Sequence, residues 1–342
     1  MASCELRDGR IVGDYMRPYI IAEVNSSHNG NMDVAKQMII AAKEAGCDCV
    51  KFQSWSAKSL YSKTYYKQNP IAKRFVDKFA MSPEQLKELA EYCRSYGIEF
   101  SSTPYSEEEV DFLVDIRAPF IKISSMELNN PGFLRYIARK GVPVVLSTGM
   151  GDMDEIEKAV KVIEEEGNRQ IILLHCVSIY PAEETTINLN NIVGLREKFP
   201  DYPIGFSDHT LGDVVAVAAT ALGAAVIEKH LTLDKSKIGM DNQMAMEPAD
   251  LKLLCDKCRM TQLAMGVKER VVLPKEYEQR NNMRRSIVAT RDLAVGDIIQ
   301  AEDLYAKRPG TGLAPELIPS LIGRKIVNAV EADTLINEND YI

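Results

Sequence analysis

The sequence predicts an α/β protein, a (β/α)₈ TIM barrel followed by a small β-rich domain, on three observations. Eight short runs rich in Val, Ile and Phe recur, each followed by polar residues and then by a longer segment with helical spacing. Glycines stop the helical segments just before the next run. The rhythm ends near Lys268, and short β-like runs broken by turn residues replace it. Eight parallel strands with intervening helices close most simply as a barrel.

Before the first run, residues 5–12 read as a hairpin around Asp8-Gly9, a plug for the barrel floor. The predicted strands are residues 19–24, 49–53, 99–103, 120–124, 144–147, 171–176, 204–207 and 226–230. Between the second and third, Ser82 reads as an N-cap with Pro83 at the first helical position, Gln85 three residues after the cap and Gly97 as the stop. Residues 154–166 place Ile156, Val160 and Ile163 on one face and Glu and Lys on the other. Gly46, Gly141, Gly167 and Gly223 punctuate other helices. The barrel with its hairpin is expected over residues 1–270, a linker without clear period over 271–284, and the second domain over 285–342. That domain's β-like runs are 286–289, 298–299 and 326–328, with turns at Gly296-Asp297, Arg308-Pro309-Gly310 and Gly312.

With 342 residues, 46% apolar and 26% charged, the chain can bury a full core, which excludes a disordered, collagenous or disulfide-scaffold protein. A net charge of −8 gives no electrostatic case for nucleic acid. Seven cysteines at irregular spacing, behind an N-terminal segment without an apolar signal core, point to a reduced, cytoplasmic chain. The longest apolar stretch, residues 214–227, is broken by Thr220 and Gly223 and is shorter than the ~20 residues a bilayer needs, so no membrane span is expected.

A barrel of this kind carries its chemistry at the C-terminal ends of its strands, and the reactive side chains of this sequence gather there. All four histidines fall at or just beyond those ends. His209 and His230 top neighbouring strands and can share one metal ion, the alternative being a pair of packed core histidines. His28 and His175 stand open between structural and supporting roles. In Val50-Lys51-Phe52-Gln53 and Ile121-Lys122-Ile123-Ser124 each Lys and the polar residue two positions on point into the barrel, where a lysine is costly unless it meets an anion. With hydroxyls from Thr103, Ser125, Ser147, Ser178 and Ser207, the mouth suits a phosphate and a carboxylate together. Either lysine can instead serve as a Schiff-base nucleophile. Glu23 and Glu127 are the candidates for moving protons, and Glu228 reads as a salt-bridge partner in the barrel wall. Asp241 lies in a loop after the last strand. Cys255 and Cys258 form a C-x-x-C inside a helical run with no second pair, and read as core or helix-face residues.

These residues stand in longer motifs. They include Ile20-Ile21-Ala22-Glu23 with Ser27-His28-Asn29-Gly30, Ser102-Thr103-Pro104, Lys122-Ile123-Ser124-Ser125-Met126-Glu127, Leu146-Ser147-Thr148-Gly149-Met150, and His175-Cys176-Val177-Ser178-Ile179-Tyr180-Pro181. Gly205-Phe206-Ser207-Asp208-His209-Thr210 and Glu228-Lys229-His230 complete the set. Over almost its whole length the sequence resembles the sialic acid synthase family, the nonulosonic acid synthases. Its tail, with Arg285-Ser286-Ile287-Val288-Ala289 and Lys307-Arg308-Pro309-Gly310-Thr311-Gly312, resembles the antifreeze-like SAF domain that follows the barrel in these enzymes.

The resemblance implies condensation of phosphoenolpyruvate with the open-chain aldehyde of an N-acylated mannosamine-type sugar and release of phosphate. It implies that Lys51, Thr103, Lys122, Ser125, Ser147, Ser178 and Ser207 hold phosphoenolpyruvate, and that Gln53, Tyr180 and Asp241 face the sugar. His209 and His230 would hold a divalent metal, Mn²⁺ or else Mg²⁺ or Co²⁺, and Glu23 and Glu127 would offset charge or move protons. Arg308 would reach the N-acyl group in a partner subunit's barrel, making a domain-swapped homodimer. Asn25, Ser27, Ser124, Met126, Met240 and Asn242 depart from common family spellings. The acceptor therefore lies between the sialic, legionaminic and pseudaminic branches.

Overall fold

The computed structural model describes residues 1–237 and 239–342. The chain divides into two units, Met1–Gly266 and Val267–Ile342.

The first unit opens with an antiparallel hairpin of β1 (Ser3–Glu5) and β2 (Ile11–Gly13), in which Cys4 faces Val12. The ladder sits further out than the predicted 5–12, because residues 6–10 form the loop. Leu6 N–H donates to the Arg10 carbonyl at 2.8 Å, Arg10 N–H donates to Asp8 Oδ1 at 3.0 Å, and Gly9 takes φ +82°. Cys4, Leu6 and Val12 pack against Tyr19, Ile21, Cys49, Phe120, Val145 and Val226, so the hairpin plugs the barrel floor.

Eight parallel strands follow: β3 (Tyr19–Glu23), β4 (Cys49–Gln53), β5 (Glu99–Thr103), β6 (Ile121–Ile123), β7 (Val144–Ser147), β8 (Ile171–Cys176), β9 (Ile204–Asp208) and β10 (Val226–His230). Their order is β5-β4-β3-β10-β9-β8-β7-β6, and first meets last where Val226 lies beside Tyr19 and His230 beside Glu23. Between β5 and β6 a side chain replaces the backbone ladder, the Ser101 hydroxyl donating to the Phe120 carbonyl at 3.0 Å. β6 is accordingly shorter than the predicted 120–124. Phe120 spends its carbonyl on Ser101, and the Ser124 carbonyl accepts from Glu127 N–H at 3.0 Å to start a 3₁₀ turn over Ser125–Glu127.

Side chains alternate along each strand, and that period sorts them. Ile20, Ala22, Val50, Phe52, Ile121, Ile123 and Ile227 face the helices in the main core. Ile21, Cys49, Phe120 and Val226 fill the lower interior. One period further along the same inward faces come Glu23, Lys51, Lys122 and Glu228, all buried. The fold thus carries four charged groups into the barrel directly above its apolar floor.

The helices form where the caps dictate. Pro83–Tyr96 starts from a capping box of Ser82 and Gln85 and stops at Gly97, φ +66°. Met153–Glu165 starts from a second box, Asp152 with Glu155, and buries Ile156, Ala159, Val160 and Ile163; each large side chain so buried contributes roughly 1.5–3 kcal/mol. Pro248–Met265 buries both Cys255 and Cys258, with Cys255 Sγ 3.7 Å from Cys47 Sγ, so the C-x-x-C belongs to the core. Among the described residues no helix is long and apolar enough to cross a membrane.

In the second unit β11 (Ser286–Ala289) and β12 (Leu304–Lys307) pair antiparallel over a core that includes Ile287, Leu293, Ile299, Leu304, Ile326 and Ile336. The runs at 298–299 and 326–328 form single bridges rather than strands, Ile298 with Lys325 and Ile326 with Tyr341. The stretch read as a linker contains a helix, Pro274–Met283, with Pro274 at its start and Glu276 capping Leu273 N–H at 3.1 Å. It buries no residue and so has no apolar stripe for periodicity to reveal.

Candidate active site

The C-terminal mouth of the barrel opens into a cavity of about 380 Å³. Thirteen of the predicted site residues line it: Glu23, Lys51, Gln53, Thr103, Lys122, Ser125, Ser147, Ser178, Tyr180, Ser207, His209, His230 and Asp241. Asn25, Tyr105, Ser124, Met126, Met150, Cys176, Met240 and Glu228 join them.

Charge is concentrated at the bottom. The Lys51 ammonium pairs with Glu23, donates to Thr103 Oγ1 at 3.2 Å and lies 3.7 Å from Glu228 Oε2. The Lys122 ammonium donates to Ser147 Oγ at 2.7 Å and lies 3.6 Å from Glu228 Oε1. Glu228 also accepts from the Ser207 hydroxyl at 3.0 Å. Its reading as a salt-bridge partner holds, but its place is the cavity lining: the alternation that turns Lys229 outward turns Glu228 and His230 into the cavity. Lys229 spends its ammonium behind the wall, on Asp208 Oδ2 at 2.8 Å and the Thr210 carbonyl at 2.6 Å.

These environments separate the titrations. Burial opposes the charge on Glu228, but Lys122 and Lys51 outweigh it and hold the carboxyl below its ordinary range. Burial raises Glu23, which Lys51 only partly offsets and the like charge of Glu228 reinforces. Burial also works against Lys51, yet Glu228 and Glu23 together keep its ammonium above the usual value. Lys122 is pulled down by burial.

A hydrogen-bonded rim stands above. Gln53 Nε2 donates to Glu23 Oε1 at 2.9 Å, while Trp55 Nε1 and the Tyr105 hydroxyl donate to Gln53 Oε1 at 2.8 and 3.1 Å. Ser125 Oγ accepts from Gly149 N–H at 2.9 Å, tying the loops after β6 and β7 together. Tyr180 lies against His209 with ring centroids 4.2 Å apart, and the Asn25 amide donates to Asp241.

The His209 and His230 rings meet edge to face, centroids 5.4 Å apart. His209 Nδ1 sits 2.7 Å from the Val177 carbonyl. A carbonyl only accepts, so Nδ1 carries the proton and Nε2 keeps its lone pair. Burial lowers the pKa of both rings, His230 further through its neighbour His209, and neutral imidazole is the form a metal requires. The pair therefore fits a divalent ion as two of its ligands. Among the described residues no cluster of three or more His, Cys, Asp and Glu side chains is arranged to hold one.

Two predicted residues lie elsewhere. Glu127 ends the 3₁₀ turn, outside the cavity lining and half-buried, where it accepts from Asn130 Nδ2 at 2.8 Å and burial raises its carboxyl. Arg308 belongs to the second unit and is exposed there; Ser286 anchors its loop, donating to the Pro309 carbonyl at 2.7 Å and accepting from Gly312 N–H at 2.8 Å. The other two histidines lie outside the cavity lining and each spends a ring nitrogen on the backbone. His28 Nδ1 accepts from Gly30 N–H at 3.0 Å, and His175 Nε2 is 2.7 Å from the Ile187 carbonyl.

A barrel mouth that sets two buried ammonium groups and a ring of hydroxyls beneath two neutral imidazoles has the charge and donors that suit a small anion, as in a barrel enzyme's substrate pocket. The chain belongs to the NeuB family: the NeuB family model matches residues 38–270, and the SAF domain model matches residues 284–342. It is 38% identical to the N,N'-diacetyllegionaminic acid synthase of Legionella pneumophila over 95% of this chain and 94% of that protein. It is 36% identical to the human N-acetylneuraminate-9-phosphate synthase over 98% of this chain and 95% of that protein. Among solved structures it is similar to the N-acetylneuraminic acid synthetase of Leptospira borgpetersenii, at 30% identity and a TM-score of 0.75, covering 81% of this chain and 96% of that one.

Proposed function

We propose that this protein is a nonulosonic acid synthase, joining phosphoenolpyruvate to the open-chain aldehyde of an N-acylated mannosamine-type sugar and releasing phosphate. The observation that carries this reading is the convergence of the Lys51 and Lys122 ammonium groups on Glu228 beneath the His209 and His230 rings. An incoming phosphate and carboxylate compete with Glu228 for both ammonium groups, while Thr103, Ser125, Ser147, Ser178 and Ser207 turn their hydroxyls toward the anion. The enol carbon forms the new bond to the aldehyde carbon as the carbonyl π pair moves onto its oxygen, which takes up a proton to become a hydroxyl. The cation left at the phosphate-bearing carbon takes up water, whose two protons are released, one to balance that hydroxyl and one to the departing phosphate. Expulsion of phosphate then breaks that carbon–oxygen bond, its electron pair leaving on the bridging oxygen, and the added water's oxygen becomes the ketone.

Glu23, raised by burial, is suited to receive a proton that water loses, and Glu127, outside the cavity lining, would offset positive charge. Gln53, Tyr180 and Asp241 face the acceptor sugar. His209 and His230 would hold Mn²⁺, or Mg²⁺ or Co²⁺, which when bound supplies Lewis-acid polarisation of the aldehyde. Arg308 of a partner subunit would reach the N-acyl group in a domain-swapped homodimer, and the protein would work in the cytoplasm. The product is N-acetylneuraminate or a legionaminate-type acid; with a diacetamido-trideoxy altrose as acceptor it would be pseudaminate.

Phosphoenolpyruvate labelled with ¹⁸O at the bridging position tests this course. The label should leave with phosphate, and label retained in the sugar acid would refute it. One observation favours a second reading, a Schiff-base aldolase: burial draws Lys122 toward the neutral amine. Borohydride trapping with pyruvate separates the two, since a covalent adduct on Lys122 would establish the aldolase.

A further inference from the structure

We propose that Asn25 is a positioning residue that acts through Asp241, holding that carboxylate beside His230 where it receives the acceptor sugar; this rests on the function proposed above. Asn25 follows β3 and takes φ +45°, a left-handed conformation that asparagine adopts more readily than other non-glycine residues. Two contacts hold it there. Its backbone N–H donates to Glu23 Oε1 at 3.1 Å, and its side-chain amide donates to Asp241 Oδ2. The same Asp241 oxygen lies 3.6 Å from His230 Nδ1, within ion-pair reach and beyond a hydrogen bond. One residue thereby links the carboxylate under Lys51 to the carboxylate beside His230.

A second clasp lies next to the first. The buried Ser27 hydroxyl donates to Asn242 Oδ1 at 2.6 Å, and Asn242 in turn donates to the Lys237 carbonyl at 3.1 Å. These contacts join the segment after β3 to the segment after β10, and the Asn25 amide is the member that touches a group lining the cavity. The amide fixes the Asp241 carboxylate in the cavity lining, where its oxygens can accept from a sugar hydroxyl or amide N–H.

Asn25→Gly removes the amide and suits the left-handed backbone, so a loss of function cannot be assigned to strain. Phosphate release with Mn²⁺ and phosphoenolpyruvate is measured with N-acetylmannosamine and with a diacetamido-trideoxy hexose, on wild type, Asn25→Gly, Asp241→Ala and the double variant. The acceptor KM of Asn25→Gly should rise about tenfold, the loss expected for a hydrogen bond to a charged group, with the phosphoenolpyruvate KM within about twofold. On the Asp241→Ala background the same change should alter acceptor KM less than about twofold. An unchanged acceptor KM in the single variant, or effects that multiply in the double variant, would overturn the proposal.

Thermal unfolding of the same four proteins reads the contact without substrate. The midpoint shifts of the two single changes should combine to less than their sum, and strict additivity would overturn the contact. A wild type inactive with both acceptors defeats the proposed function, and the unfolding cycle then decides the contact alone.

Discussion

Lys122 Nζ stands 3.6 Å from Glu228 Oε1, both side chains about 4% exposed. Glu228 faces Lys51 as well, at 3.7 Å, so this carboxylate is shared by two buried ammonium groups, of which Lys51 also pairs with Glu23 while Lys122 has Glu228 as its ion-pair partner. Removing one partner of such a set leaves an uncompensated buried charge. Glu228→Gln should destabilise the free protein by about 3 kcal/mol in urea unfolding. Phosphoenolpyruvate should restore more stability to the variant than to wild type, because it supplies the missing negative charge. Equal ligand-induced shifts in the two proteins would contradict the anion site.

His209→Ala and His230→Ala should each lower Mn²⁺ affinity at least tenfold, read as free Mn²⁺ by electron paramagnetic resonance, and abolish turnover. Normal Mn²⁺ affinity in either variant would remove the metal site.

Arg308→Ala is expected to raise the acceptor KM about tenfold and leave the phosphoenolpyruvate KM unaltered, as the loss of a binding contact does. Mixing Arg308→Ala protein with a barrel-inactive Lys122→Ala protein tests the swapped assembly. Hybrid dimers should regain activity, and no recovery after subunit exchange would count against exchange of the small domain.

His28 gives a stability signature in acid. It is 3% exposed, and burial pulls its imidazole from 6.5 down to about 4. As pH falls, the unfolded chain takes up this proton first, so the contribution is complete above pH 6.5 and is lost progressively down to pH 4. Urea unfolding should show about 2 kcal/mol of this loss between pH 7 and pH 5. His28→Gln should lack that part of the slope, and a slope equal to wild type's would contradict it.

Much of this site was legible because strand period and barrel geometry dictate it together. Once residues 50–53 and 121–124 are strands, Lys51 and Lys122 must point inward with Gln53 and Ser124 above them. Glu228 reads correctly as a salt-bridge partner, but its place in the cavity lining was missed although the same period holds there. Lys229 beside it offers an equally charged candidate, and only the Asp208 pair behind the wall shows which of the two turns away. The Asn25 contact joins residues 216 apart through loop conformations that no local pattern encodes. The helix Pro274–Met283 was hidden for a different reason: a helix that buries nothing carries no apolar stripe. In β6 the departure was tertiary, since Ser101 took the Phe120 carbonyl that would have lengthened the strand.

The most direct measurement is phosphate release from phosphoenolpyruvate with Mn²⁺, comparing N-acetylmannosamine with diacetamido-trideoxy hexoses against a chelator control. Release that requires both an acceptor sugar and the metal is the predicted result, and the preferred sugar identifies the product. Phosphate release that proceeds without any sugar, or undiminished in chelator, would contradict the account.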